Sequence, residues 1–392
     1  MGIKQGGKQQ KIKEQQAGDI YRHSIFHRGK SKAENSYFLC SMEVDYLIIG
    51  QGLAGTLLSR SLLNAGKKVI VVDETNNASA SRVAGGIVNP VTGKRLVRSW
   101  MIEELLPFAL TMYRELEQEL TMSLVQECSI LDFYATDGER EIFNNKLEEE
   151  KDFLHLSADG DKWQQYFRFN YGIGEIAPCL LVDLRSLIIG WRNHLSEIGS
   201  LMEHQFSWLD CEVTATGISY KDIHAQKIIC CEGVGGAQNP YFQMLPWSKD
   251  KGEALIASIP GLSRTHIVKQ GISIVPWQDG LFWIGAAHDW KFTDMEPTPA
   301  FRKKVELQLD YWLKLPYTIV DHIVAQRPAN MERKPFVGLH PVHDSIGIFN
   351  GMGGKGVSMC PWFANEFAAH LVNGIPLTPT ADVRRFERIL KR

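Results

Sequence analysis

The sequence lacks the features that would place the protein in a specialised class. No run approaches the roughly 18 apolar residues that a membrane-spanning helix needs. The formal net charge is only -2, so we expect no general attraction to nucleic acid or to an anionic membrane. The proportions of apolar and charged residues are typical of a globular protein, and the length allows one large domain or two interleaved domains.

Cysteines are few, odd in number and never spaced as a CxxC pair. This pattern favours neither a disulfide framework nor a zinc site, so we predict no bound metal. Reduced thiols are the simpler interpretation, and they favour a cytoplasmic location. The seven cysteines are Cys40, Cys128, Cys179, Cys211, Cys230, Cys231 and Cys360.

Residues 1–41 differ in composition from the rest of the chain. They carry eight Lys or Arg against three acidic residues, which leaves a balance of +5, and they show no apolar periodicity. We predict that this segment is a disordered basic tail. It lacks the apolar stretch of a secretory signal. Met42 is followed at once by a predicted strand, and we hypothesise that translation starts there.

The first motif is a glycine-rich turn between a predicted strand and a predicted helix. Residues 44–50 form a short apolar run, typical of a strand buried on both faces, and residues 56–65 have the apolar spacing of a helix. The turn reads GxGxxG, which permits a tight turn, close approach of a pyrophosphate and close helix packing. The helix start also attracts phosphate. The predicted cofactor-binding residues here are Gly50, Gly52, Leu53, Ala54 and Gly55.

A second apolar strand, residues 69–72, ends at the acidic pair Asp73 and Glu74. A carboxylate about 20 residues after the turn is where Rossmann-type domains bind the ribose hydroxyls. An acid at this place also disfavours a cofactor with a 2′-phosphate, because like charges repel. We therefore predict a Rossmann-type dinucleotide-binding domain, and this part of the chain leaves the choice between NAD and FAD open.

Two later segments decide between these cofactors by resemblance. One is the small-residue run ASASRVAGGIVNP at residues 78–90, and the other joins Arg327-Pro328 to the glycine-rich stretch IFNGMGGKGVS at residues 348–358. With the first turn, they resemble the D-amino-acid oxidase and glycine oxidase superfamily of FAD-dependent oxidoreductases. The resemblance covers roughly residues 44–375, with weaker agreement near residues 182–198, 226–235 and 251–253.

The resemblance implies an FAD cofactor, and no histidine or cysteine stands where family members tether it, so we expect FAD to be non-covalent. It also implies that Arg327 binds the substrate carboxylate, a task that suits a planar guanidinium with paired donors. The further residues predicted to contact FAD are Ser81, Arg82, Gly85, Gly86, Gly353, Gly354, Lys355, Gly356 and Val357.

Departures from glycine oxidase bear on the substrate. Gly354 stands where those enzymes carry a second arginine, and Ser273 where they place a tyrosine over the substrate. These differences predict a roomier pocket and a substrate other than glycine. Arg95 is a second candidate for carboxylate binding, which would favour an acidic substrate; a solvated loop is the alternative. We assign no general base, and His288 is predicted to be structural.

The predicted fold is α/β, with two discontinuous domains. A Rossmann-type FAD-binding domain takes residues 42–125, 180–255 and 325–392, and a sheet-containing α+β substrate domain takes residues 126–179 and 256–324. The predicted enzyme oxidises an amino acid or secondary amine that bears a carboxylate, by hydride transfer to flavin N5. Two alternatives stay open: an FAD enzyme acting on a 2-hydroxy acid or on a tRNA wobble-uridine side chain, and a non-catalytic flavoprotein. The electron acceptor, oxygen or another, is not predicted.

Overall fold

A computed structural model describes residues 42–76, 78–157, 160–214 and 217–392, so the segment predicted as a disordered tail lies outside the described residues. The helices are α1 (Leu53–Asn64), α2 (Ala80–Val83), α3 (Ile102–Leu120), α4 (Asp137–Lys146), α5 (Gly160–Trp163), α6 (Leu184–Glu197), α7 (Pro299–Trp312), α8 (Gly356–Asn373) and α9 (Glu387–Leu390). The strands are β1 (Met42–Ile49), β2 (Val69–Val72), β3 (Ile87–Val88), β4 (Val91–Thr92), β5 (Val97–Arg98), β6 (Val125–Phe133), β7 (Leu154–Leu156), β8 (Ile173–Val182), β9 (Leu201–Met202), β10 (Cys211–Thr214), β11 (Gly217–Tyr220), β12 (Ile223–Cys230), β13 (Trp247–Ser248), β14 (Lys251–Ser258), β15 (Ile267–Gln270), β16 (Ile272–Pro276), β17 (Phe282–Gly285), β18 (Thr318–Gln326), β19 (Ala329–Asn330), β20 (Phe336–Leu339) and β21 (Ile346–Asn350).

An eight-stranded sheet has the parallel centre expected of a Rossmann-type domain. β1 lies between β2 and β12 and is parallel to both, and β9 and β21 extend the parallel set on either side. β10, β11 and β20 add antiparallel pairs. Because parallel strands have their carboxyl ends at the same edge of a sheet, the glycine-rich turn after β1 and Asp73 after β2 lie together at that edge.

Both faces of this sheet are covered, which explains the continuous apolar runs of its strands. Tyr46 and Ile48 of β1 face a core cluster formed with α1, α3, α6 and α8. The alternate residues, Leu47 and Ile49, face a second cluster that includes the β10–β12 strands and the C-terminal residues Val383 to Leu390. The predicted strand over residues 44–50 is therefore confirmed, and its burial on two faces follows from this packing.

A second sheet of nine strands runs in the order β18-β14-β17-β16-β15-β6-β8-β3, with β7 paired to β8. α7 packs its buried residues into one face of it, where the Trp312 and Phe167 rings stack with centroids 4.6 Å apart. The sequence pattern predicts a helix over residues 299–313 and strands over residues 272–275 and 281–284, and these correspond to α7, β16 and β17. The predicted α/β fold with a second, sheet-containing part is confirmed.

The ends of several strands cross the predicted domain boundaries. β14 begins at Lys251 and belongs to the nine-stranded sheet, although residues up to 255 were assigned to the FAD-binding domain. β8 likewise ends at Val182 and β18 at Gln326, each slightly beyond the predicted limits of the substrate domain. The division into two domains stays a prediction.

The apolar spacing of residues 362–372 predicts a helix there, and the observed helix α8 begins six residues earlier, at Gly356. Pro361 lies inside this helix, although proline has no N–H to donate to the carbonyl four residues before it. The structure resolves this problem by a substitute donor: the buried Tyr113 hydroxyl of α3 donates to Val357 O at 2.7 Å. The helix therefore continues through the proline and carries the second glycine-rich turn at its start.

Candidate functional site

The glycine-rich turn after β1 is tightly packed at two of its three glycines. Gly50 has a φ of +97°, in the region that favours glycine. A Cβ on Gly50 would lie 2.6 Å from the Cys231 carbonyl oxygen, and one on Gly55 would overlap the Gly50 carbonyl. A Cβ on Gly52, by contrast, would meet only Ser81 Oγ, at 3.3 Å. Gly50 and Gly55 serve the packing of strand and helix, and Gly52 leaves room above the turn.

Helix α1 starts at this turn, with Gly52 as its N-cap residue. The Leu53 amide donates to Ser81 Oγ at 3.0 Å. Ala54 and Gly55 follow in the first turn, where an α-helix leaves its N–H groups without intrahelical acceptors. This helix end therefore offers free donors and a partial positive charge to an anion.

Arg82 follows Ser81 in α2 and is buried, with 8% of the residue exposed. Within the part of the chain that the structure describes, no hydrogen bond or ion pair holds its guanidinium. Burial lowers the pKa of Arg82, and Arg192 and Arg185 add to this effect while Asp73 opposes it. A buried cation without a partner is costly, so this setting fits a bound phosphate.

Asp73 lies at the end of β2, and both of its carboxylate oxygens have protein partners. Oδ1 accepts the Gln51 amide at 2.8 Å, and Oδ2 accepts Arg192 Nη1 at 2.7 Å. Arg192 belongs to α6 and is also paired with Glu203. A carboxylate oxygen accepts more than one hydrogen bond, so Asp73 retains capacity for a ribose hydroxyl. The neighbouring Glu74 is exposed.

Gly85 and Gly86, which are predicted to contact FAD, are also closely packed within the protein. A Cβ on Gly86 would overlap the Val182 carbonyl, and the Gly86 carbonyl accepts the Val182 amide at 2.8 Å. A Cβ on Gly85 would lie 3.1 Å from the ring of Trp283, whose indole N–H donates to Val83 O at 3.0 Å. Close contacts with β8 and β17 of the nine-stranded sheet therefore require small residues at these two positions.

The second glycine-rich segment forms a short 3₁₀ turn and leads into α8. A Cβ on Gly356 would lie 3.8 Å from Leu53 Cδ2, so the starts of α8 and α1 are adjacent. Lys355 donates to Ser99 Oγ at 2.7 Å. Burial lowers the pKa of Lys355, and Arg333 lowers it further. The structure thus brings the two predicted glycine-rich segments together.

Arg327 lies against the same turn. The Gly353 amide donates to Pro328 O at 3.0 Å, and a Cβ on Gly354 would lie 3.7 Å from Arg327 Cδ. A Cβ on Gly252 of β14 would overlap the guanidinium itself. Arg327 therefore fits closely among glycines, and 15% of its side chain is exposed.

The Arg327 guanidinium belongs to a charged cluster that also contains Asp250 and His288. Its Nη1 donates to Asp250 Oδ1 at 3.0 Å, and its Nη2 donates to Ala287 O at 3.1 Å. His288 Nδ1 lies 3.1 Å from both oxygens of Asp250 and 3.2 Å from Arg327 Nη1. The His288 ring stacks on Trp290 with centroids 6.0 Å apart. We call Asp250, Arg327 and His288 the Arg327 cluster.

Sequence reasoning missed Asp250 and interpreted His288 only as a structural residue at a strand end. Asp250 is 77 positions from Arg327 along the chain, and the antiparallel pairing of β14 with β18 brings them together. Its position directly before the Lys251-Gly252-Glu253 match was the one local signal available. The structure places His288 in contact with both charged members of the cluster.

Arg95 lies in the exposed turn of the β4–β5 hairpin, and no contact joins it to Arg327 among the described residues. Its neighbour Arg98 is paired with Glu103 and Glu150. The structure therefore gives Arg95 the surroundings of a solvated loop, and its proposed substrate contact stays a prediction.

Further observations concern metals, thiols and membranes. Among the residues that the structure describes, no group of His, Cys, Asp and Glu side chains could hold a metal ion. The described cysteines are free thiols, and burial raises the pKa of Cys360 in α8. None of the described helices combines the length and the apolar character needed to span a membrane.

Comparison with protein families gives a match over most of the chain. The model of the family described as DAO, FAD dependent oxidoreductase, matches residues 45–370. That range includes the first glycine-rich turn, the Arg327 cluster and most of α8.

Solved structures share the fold at low sequence identity. Iminodiacetate oxidase from Chelativorans sp. BNC1 is 20% identical, with a TM-score of 0.70 over 88% of this chain and 98% of that chain. Glycine oxidase from Geobacillus kaustophilus is 16% identical, with a TM-score of 0.73 over 86% and 96%. L-proline dehydrogenase from P. horikoshii is 16% identical, with a TM-score of 0.72 over 89% and 99%. At identities this low, the TM-scores show a shared fold and nothing further.

Proposed function

The chain belongs to the DAO family of FAD-dependent oxidoreductases, and from this premise we propose that it oxidises an amino acid or secondary amine that bears a carboxylate. The observation that carries the proposal is the position of Arg327. Its side chain lies against Gly354 in the second glycine-rich turn, which is adjacent to the start of α1. Proteins of the same fold are named as acting on glycine, iminodiacetate and L-proline. Each of these compounds combines an amine with a carboxylate.

The two helix starts suit FAD, which we propose is bound without a covalent link. The amides of Ala54 and Gly55 and the unpaired Arg82 guanidinium suit the pyrophosphate, and Asp73 suits a ribose hydroxyl. The glycines of the second turn leave room for a flat ring. Burial of the Cys360 thiol and its raised pKa disfavour a thioether link. When bound, FAD supplies the acceptor, at N5, for the hydride that leaves the substrate Cα once the ammonium form has lost a proton and the amine is neutral.

Arg327 binds the substrate carboxylate through donors that the protein leaves unused. A guanidinium has five N–H donors. Asp250 accepts from Nη1 and Ala287 accepts one N–H of Nη2, so Nε and the other N–H of Nη2 are available for a paired contact. Fixing both carboxylate oxygens in this way orients Cα, and orientation is the main contribution that the protein makes to such a transfer.

The first test is the visible spectrum of the purified protein, followed by anaerobic addition of D-amino acids, sarcosine, other N-alkyl amino acids, proline and 2-hydroxy acids. We expect a bound flavin whose absorbance is bleached by an amine that carries a carboxylate. Bleaching by a 2-hydroxy acid alone would contradict the substrate class. A stable flavin that no compound reduces would favour a non-catalytic flavoprotein.

Arg327→Lys tests the residue that carries the proposal. Lysine keeps the charge and loses the paired donors, so we expect the amine concentration that gives half of the maximal rate of bleaching to rise at least about 50-fold. Arg168→Lys is the matched control, because Arg168 also donates to backbone carbonyls and lies in the nine-stranded part of the protein. An unchanged concentration dependence in Arg327→Lys would remove Arg327 from the substrate site.

A further inference from the structure

The Arg327 cluster already contains a carboxylate that neutralises the arginine. The side chain of Asp250 is only 8% exposed, and its Oδ1 lies 3.0 Å from Arg327 Nη1. One positive and one negative charge therefore face each other before any substrate is present. A site that binds simple anions would be expected to have a guanidinium without a neighbouring carboxylate. Here the negative charge of Asp250 cancels much of the attraction of Arg327 for an anionic ligand.

The pair of charges is complementary to a zwitterion. A substrate carboxylate bound to the free donors of Arg327 shares the guanidinium with Asp250, and two carboxylates on one cation need a compensating positive charge. The ammonium group of an amino acid supplies that charge in the same molecule. A 2-hydroxy acid offers only a neutral hydroxyl there, and it would leave two negative groups facing one guanidinium.

His288 shows where such a positive group fits. Its Nδ1 lies 3.1 Å from both oxygens of Asp250 and 3.2 Å from Arg327 Nη1, on the exposed side of the ion pair. Its side chain is 51% exposed, and the contacts that hold it are the Arg327 cluster and the stacking on Trp290. When the ring turns toward solvent, an entering ammonium can reach the Asp250 oxygens from this exposed side.

We propose that Asp250 is a specificity-determining residue that binds the substrate ammonium group, so that the site takes zwitterionic amines and rejects carboxylates that lack a positive charge. This inference rests on the proposed function, because it assumes that Arg327 binds the substrate carboxylate. It goes further by assigning the second charged contact to Asp250 and by excluding 2-hydroxy acids on electrostatic grounds.

Two probes of nearly equal shape test the inference on the FAD-loaded wild-type protein. 2-Aminoisobutyrate is a zwitterion without a hydrogen on Cα, so it binds without losing a hydride, and pivalate replaces its ammonium group by a methyl group. We expect titrations that follow the visible flavin spectrum to show binding of 2-aminoisobutyrate at least about tenfold tighter than pivalate. Equal or tighter binding of pivalate would overturn the inference.

Asp250→Asn removes the charge and keeps an oxygen that can accept from Arg327. We expect 2-aminoisobutyrate to bind about tenfold more weakly and pivalate about tenfold more tightly than in the wild type. A merely structural role of Asp250 would weaken both probes together. The matched control is Asp132→Asn, which neutralises an acid paired with Lys269 at 2.6 Å in the same sheet and should leave the preference unchanged.

The outcomes separate this inference from the proposed function. An unchanged preference in Asp250→Asn, with both probes still bound, would overturn the assignment of Asp250 and leave Arg327 as the carboxylate site. Failure of the wild type to bind either probe would count against the carboxylate site itself and would overturn both. If Asp250→Asn does not fold with FAD, the wild-type comparison decides the matter.

Discussion

Gly252 sets how closely β14 approaches the Arg327 guanidinium. A Cβ at this position would overlap both Cζ and Nη2 of Arg327. β14 is held on both sides by β17 and β18, so the flexible end of the arginine moves rather than the strand. We therefore expect Gly252→Ala to leave the fold intact and to displace the guanidinium.

The predicted result of Gly252→Ala is a loss of substrate affinity at least about tenfold, because a misplaced guanidinium loses its paired geometry. Titration of the flavin spectrum with 2-aminoisobutyrate measures it, and the melting temperature serves as the check on folding. Gly138→Ala is the control, since its Cβ would meet nothing closer than 3.9 Å. Unaltered affinity with an unaltered melting temperature would show that Arg327 does not need this close approach.

At the scale of single residues, the sequence identified candidate functional residues better than it identified the residues that they contact. Arg327 was found through the Arg-Pro motif, and the structure places it at the second glycine-rich turn. Asp250 was not found, because its contact with Arg327 depends on the register of two strands that are distant in sequence. The ion pair of Asp73 with Arg192 was missed for the same reason, since Arg192 arrives from α6.

At the scale of elements, Tyr113 allows α8 to pass through Pro361. The hydroxyl occupies the position of the missing N–H donor at Val357 O, and burial of the tyrosine excludes water as a replacement. We expect Tyr113→Phe to lower the free energy of unfolding by about 1–3 kcal/mol, the cost of a buried carbonyl left without a donor. Urea denaturation of the FAD-loaded protein measures this change.

A second substitution makes this prediction specific. Pro361→Ala restores a backbone N–H that can donate to Val357 O, so Tyr113→Phe should cost clearly less in that background. Tyr311→Phe is a control for loss of a hydroxyl, because Tyr311 is 71% exposed. Equal costs of Tyr113→Phe with and without Pro361 would mean that the hydroxyl does not replace the helical donor.

The bounds of elements that depend on local sequence pattern were predicted to within a few residues. The bounds and sheet assignments that depend on contacts between distant residues were not. β2 was predicted over 69–72 and is found there, because its four apolar residues are bounded by charged ones. The start of α8 was missed because the donor that rescues Pro361 comes from α3. The assignment of β14 to the nine-stranded sheet likewise depends on its pairing with β17 and β18.

At the scale of the whole molecule, His340 couples the stability of the fold to pH. It follows β20, where its Nδ1 accepts the amides of Val342 and His343 at 3.2 Å each and so shapes the connection to β21. Burial lowers the pKa of His340 to about 4, and His343 contributes to the shift. Protonation would both charge a buried ring and remove the acceptor of these two hydrogen bonds.

The sign of the effect follows from comparing the folded with the unfolded chain. An unfolded histidine titrates near a pKa of about 6.5, so between pH 6.5 and 4 the unfolded chain binds more protons than the folded one. Stability that is present at pH 7 is therefore lost as the pH falls through this window. We expect the loss from His340 to be about 1–3 kcal/mol.

His340→Asn isolates this contribution, because the asparagine Oδ1 can accept the same amides and does not titrate. Urea denaturation at pH 7 and pH 4 should show that the wild type loses about 1–3 kcal/mol more than the variant over this interval. Acidic groups elsewhere titrate in both proteins and cancel in the difference. Parallel loss in the two proteins would show that His340 is not the group that links the stability of the eight-stranded sheet to pH.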